Sequence, residues 1–203
     1  MTTPAIATAP AAAAAPPVLG PNRLGPRAAE LHALDNRGLE TVFLRATTPD
    51  PAALVGWEFR GTNVPAWMHV IRNKKFVKGM FRDERGDVYG YNCPCVQNRL
   101  DQPWQTKPDD RAPTRFGFYR VDAVDPTARD NAYLHALILD YGRGGNKPLD
   151  PTAGLRDYLV QVDADDRDLY LGKAYYAVGP ARVFTNFFIL ERLRPGLTEF
   201  VRR

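Results

Sequence analysis

From Val55 onward, polar and apolar residues alternate with a period of two. Trp57 and Phe59 fall on one face of the segment and Glu58 and Arg60 on the other, as expected of an extended strand. The same alternation predicts strands over residues 75–81, 88–92, 115–124, 132–140, 158–163, 169–178 and 182–192. Between them lie turn signals: Glu84-Arg-Gly-Asp, Asp125-Pro, Tyr141-Gly-Arg-Gly-Gly-Asn, Asp163-Ala-Asp-Asp and Val178-Gly-Pro. Residues 93–114 carry little periodicity and are expected to form a long surface loop.

Before the strands the period is helical. Ala28, Leu31 and Leu34 recur at threes in a region spanning 27–45, with a stop near Asn36 and Gly38 and a second short apolar face at Leu39, Val42 and Phe43. A short helix begun by Pro65 is expected between the first two strands. No alternation of strand and helix follows residue 70, which disfavours a parallel sheet. The expected fold is therefore all-β: an antiparallel up-and-down barrel of about eight strands, because closure removes exposed edges, with a short helical segment before it.

Composition sharpens this picture at the N-terminus. Residues 1–25 are mostly Ala, Pro and Thr, too little apolar surface to offset the entropy of ordering, and are expected to be a disordered tail. Residues 26–203 then form one barrel domain. In the 203-residue chain, 44% hydrophobic and 25% charged residues give the balance of a globular protein.

The net charge of +4 includes no run of five or six like charges, so no nucleic-acid partner is expected. The densest basic stretch, Arg72 to Arg85, reads as a solvated strand-and-turn face. No apolar run approaches the roughly 20 residues of a membrane-spanning helix. Ala11 to Ala15 lack a preceding basic residue and are broken by Pro10, Pro16 and Pro17, which argues against a secretory signal. Cys93 and Cys95, spaced Cys-Pro-Cys, suit reduced thiols better than a strained disulfide. A cytoplasmic location is expected. The sequence carries no signal for oligomeric state.

The order of parts resembles the calycin or lipocalin-like barrels. A helical segment leads to a first strand carrying Gly56, Trp57 and Gly61, and a last strand runs through Phe187-Phe-Ile-Leu-Glu to Arg192. In that family the first-strand glycine and tryptophan are one residue further apart. The resemblance implies that Trp57 packs at the closed end of the barrel beneath Arg192 or Arg182, in a cation–π contact. It further implies a central cavity for one small, mostly apolar ligand.

Within such a barrel the candidate ligand contacts are Tyr119, His135, Tyr176, Asn186 and Trp67. His135 is placed on a strand face with Tyr133, Leu137 and Leu139, and is the candidate general acid or base. His32, His69 and His135 are scattered without metal-ligand spacing, so no metal is expected, and no cofactor motif is present. Three functions follow as expectations. The first is binding of a small hydrophobic or amphipathic molecule. The second is an enzyme on the same scaffold, such as an isomerase, cyclase or hydrolase. The third is a non-catalytic interaction module that uses the 93–114 loop or the basic stretch 72–85, with a filled barrel and an exposed apolar patch bearing residues such as Trp104.

Overall fold

Asp35 sits just before an apolar pair at i and i+4, Leu39 and Phe43, and its carboxylate accepts a 2.8 Å hydrogen bond from the Gly38 amide. That cap starts a second helix at Asn36, where the sequence marks a stop followed by a second apolar face. The computed structural model describes residues 17–64, 73–147 and 149–199. Its helices are α1 (Pro26–His32), α2 (Asn36–Arg45) and α3 (Pro51–Leu54). Its strands are β1 (Trp57–Asn63), β2 (Lys75–Arg82), β3 (Val88–Pro94), β4 (Phe116–Ala123), β5 (Leu137–Asp140), β6 (Leu155–Gln161), β7 (Leu169–Val178) and β8 (Ala181–Pro195).

Each strand pairs antiparallel with the next, and β1 pairs with β8 through Thr62 opposite Ile189 and Phe59 opposite Arg192. The result is a closed, all-β, up-and-down barrel of eight strands, as the alternation predicts. Among the described residues no helix is long and apolar enough to cross a membrane.

Two segments differ from expectation. The strand expected over 132–140 shrinks to β5, because residues 132–136 turn away from the sheet. Tyr133 there packs edge-on against Phe43 of α2, at 5.1 Å between centroids, and its hydroxyl lies 2.8 Å from that of Tyr175. An aromatic-rich turn docked on a helix thus imitates strand alternation. β6 begins three residues earlier than expected, at Leu155, which brings Asp157 into the sheet. Much of the expected tail, and the short helix expected from Pro65, lie outside the described residues. From Val18 the chain packs on the barrel: the Leu19 amide bonds to the Leu193 carbonyl, and the Gly25 amide to the Glu191 carboxylate.

The barrel has apolar clusters on both sides of its wall. Inside, Phe59, Met80, Tyr119, Val121, Leu159, Tyr170 and Leu190 fill one end, and Leu54 of α3 joins them there. Outside, α1 and α2 cover β5 to β8 through Leu31, Leu39 and Phe43 against Tyr158, Leu171 and Phe187. The 95–115 connection covers β1 to β3. Its Trp104 is fully buried and donates from Nε1 to the Gly61 carbonyl at 3.0 Å.

The turn after β5 is fixed by backbone contact with β4. A Cβ at Gly144 would stand 1.8 Å from the Phe118 carbonyl oxygen. Asn146 completes the seam, accepting from the Phe118 amide at 2.9 Å and donating to the Phe118 and Tyr141 carbonyls at 2.7 and 2.8 Å. The glycine-rich stretch is therefore a close-approach turn that sets Tyr141 at the barrel mouth. Gly144→Ala is expected to force this turn off β4 and to cost about 1–3 kcal/mol, read as a lower urea midpoint at unchanged m.

Candidate functional site

The inward faces of the strands change character along the barrel axis. The end near Leu54 is packed with aromatic and branched side chains. Toward the other end, where β1 finishes and β2 begins, the inward positions become Ala174, Asn63, Asn92 and Asn186. Small and short polar residues there leave a cavity of ≈ 280 Å³. Its apolar walls are Phe76, Phe116, Leu155 and Phe188, and Thr152 and Thr185 also line it.

Four buried polar side chains stand against those walls. Lys78 lies between Phe76 and Met80 on the inward face of β2, and Asp157 between Leu155 and Leu159 on that of β6. Lys78 Nζ donates to Asn92 Oδ1 at 3.0 Å and meets Asp157 Oδ2 at 3.4 Å, and it also bonds the Tyr141 hydroxyl. That hydroxyl donates to Asp157 Oδ2 at 3.2 Å. Asn92 Nδ2 is held by the Gly117 carbonyl at 2.8 Å. Asp157 Oδ1 has no hydrogen-bond partner among the described residues.

Four rings surround the ammonium, with centroids 4.6 to 5.7 Å away: Tyr119, Tyr141, Phe188 and Phe76. Burial pulls the Lys78 ammonium below its usual range, against the attraction of Asp157. Burial pushes the Asp157 carboxyl up, against Lys78. The Tyr141 hydroxyl is raised well above the ordinary tyrosine value by burial and then by Asp157. An ammonium, a carboxyl and a phenol at one place can bind a polar group, pass protons or present a nucleophilic amine.

The candidate residues are distributed unevenly around this cavity. Asn186 lines it, donating to Asn63 Oδ1 at 2.7 Å. Tyr119 lies in the packed interior, fully buried, with its ring 5.0 Å from that of Tyr141. Tyr176 is half-buried outside the lining, donating to the Pro151 carbonyl at 2.9 Å. Trp67 and His69 lie outside the described residues.

His135 is outside the barrel. It sits in the turn before β5, its Nε2 3.0 Å from the Phe43 carbonyl and its ring edge-on to Phe43. The expected strand face shared with Leu137 and Leu139 does not form, because the turn hands His135 to α2. At the packed end, the Arg192 guanidinium lies 4.4 Å from the Trp57 ring, while Arg182 pairs with Asp130 near the opposite end of β8.

The basic stretch is not uniformly solvated. Lys78 faces inward. Lys75, also buried, lies 3.7 Å from the centre of the Trp104 ring and donates to the Arg99, Gln102 and Pro103 carbonyls. Trp104, expected on an exposed patch, is buried beneath its own loop. Cys93 and Cys95 are free and buried, and burial pushes the Cys95 thiol up to about 12, which makes it a poor nucleophile.

The site residues that sequence reasoning passes over are Lys78, Asn92, Tyr141 and Asp157. Two carry a sequence signal: a charge in phase with apolar neighbours, in Phe76-x-Lys78-x-Met80 and Leu155-x-Asp157-x-Leu159. Removing one partner of a buried ion pair strands the other. Lys78→Met is expected to cost about 3–5 kcal/mol in urea unfolding, and adding Asp157→Leu to recover most of that loss.

Compared with protein-family models, curated proteins and solved structures, the chain matches none of them.

Proposed function

We propose that this protein is a lipocalin-like binder of one small amphipathic molecule, held in the ≈ 280 Å³ cavity of the barrel. The observation that supports it is the change of the interior from packed to open. An eight-stranded barrel can be filled completely by its own side chains. Here the inward residues of one end fill it, and those of the other end leave a lined space. Phe76, Phe116, Leu155 and Phe188 suit an apolar body, and Lys78, Asn92, Tyr141 and Asp157 suit a polar group. The volume lies at the small end of the range for ligand pockets, which favours a compact molecule over a long lipid chain.

Native mass spectrometry of the protein as purified tests this, with a denatured sample alongside. The native species is expected to carry a small organic mass that denaturation releases. Ala174→Trp places a bulky side chain at the cavity wall and is expected to lose that mass while keeping the strand content of the circular dichroism spectrum. Retention of the mass by Ala174→Trp would place the ligand elsewhere.

A further inference from the structure

We propose that Lys78 is an imine-forming lysine and that the cavity takes a small aldehyde or ketone, captured covalently at Nζ. This rests on the cavity being the binding site.

Position comes first. Lys78 is the one lysine among the described residues that line the cavity. Lys75 and Lys173 are also buried, but each is engaged on the outer surface, with Trp104 and with Glu40. Lys107 and Lys147 are exposed.

Charge state comes second. Imine formation needs the neutral amine. Burial lowers Lys78 and raises Asp157, and both effects favour moving the proton from ammonium to carboxylate. The two groups are 3.4 Å apart, so the proton need not leave the site. The neutral pair is an amine beside a carboxylic acid, which is what attack on a carbonyl requires.

The step balances within this pair. The Nζ lone pair forms a bond to the carbonyl carbon, and the C=O π pair moves to oxygen, which takes the proton from Asp157. The resulting ammonium carbinolamine returns one N–H proton to the Asp157 carboxylate. Asp157 then protonates the hydroxyl. Water leaves, and the nitrogen lone pair forms the C=N bond. The products are an iminium on Lys78, a carboxylate on Asp157 and one water. No oxidant, reductant or other reactant is needed.

Three features of the site match these species. The carbinolamine brings an additional hydroxyl donor, and Asp157 Oδ1 is a buried acceptor without a partner among the described residues. The iminium keeps one N–H for Asp157 Oδ2, so the product is itself an ion pair across the same contact. The rings of Phe76, Tyr119, Tyr141 and Phe188 favour a cation and limit the water that would hydrolyse the imine. Tyr141, bonded to both Lys78 and Asp157, is a positioning residue for the pair.

The test is reductive trapping on the full chain. The protein is incubated with benzaldehyde and sodium cyanoborohydride, and adducts are followed by intact mass and located by peptide mapping. A parallel thermal-melt series uses benzyl alcohol, which has the same ring but cannot form an imine. The expected result is one benzyl group per chain on Lys78, ahead of exposed Lys107 and Lys147. It should be slowed by excess benzyl alcohol and absent in Lys78→Arg. Labelling confined to exposed lysines, with a melting temperature raised by benzyl alcohol, would overturn the imine and leave the binding cavity intact. No label at Lys78 and no thermal shift with benzyl alcohol would overturn both. The benzyl alcohol competition on the unmodified chain keeps the test decisive even where Lys78→Arg fails to fold.

Discussion

A closed sheet of eight antiparallel strands encloses a space just wide enough for side chains from opposite walls to meet. Once β1 has paired with β8, that width is fixed, and only the inward side chains decide whether the space is solid or hollow. At the end near Trp57 those side chains are Phe59, Met80, Tyr119 and Tyr170, with Leu54 of α3 among them, and the interior is packed. At the other end Ala174 and three asparagines take their places. The cavity is thus a property of a few inward positions on a frame that is otherwise the same along its length.

The same closure explains how two charges come to face each other across the interior. Lys78 and Asp157 belong to β2 and β6, which are not neighbours in the sheet, so the contact between them spans the barrel. Bringing both out of water costs several kcal/mol per ion, and their attraction offsets it only where other hydrogen bonds complete the arrangement. Asn92 and Tyr141 supply those bonds, and Asn92 is itself fixed by the Gly117 carbonyl. An apolar pair would satisfy the fold at least as well. A charged pair inside a wall of aromatic rings is therefore weak evidence for stability.

Strand number, antiparallel order and barrel closure are legible in the sequence because alternation survives wherever one face of a strand is buried. The last hairpin, β7 and β8, is legible almost to its ends for the same reason, with Gly179 at φ 55 in its tight turn. Which face points inward is less legible, since both faces of these strands are covered. Tyr170 and Leu171 are each buried, one inside the barrel and one beneath the helices. That double covering also hides the site. A histidine in an apolar run attracts attention, yet the run around His135 is a turn packed on α2. Lys78 sits among other basic residues, and only its phase with Phe76 and Met80 marks it. Asp157 falls just before the expected start of its strand. Tyr141 depends on a glycine turn whose contact with β4 no local pattern announces.

The helical cover has a consequence for how the chain comes together during synthesis. Residues 28–43 are made early, but the surface they cover is built from residues 138–189. Helices of seven and ten residues do not persist alone in water. They can hold only after β5 to β8 have formed, and that sheet is complete only when β8 has been made. Until the helices dock on the finished sheet, Val160, Leu171, Phe187 and Ile189 form an uncovered apolar wall. The earliest part of the fold to leave the ribosome is therefore among the last to find its place, and that interval is when a chaperone would have the most to hold.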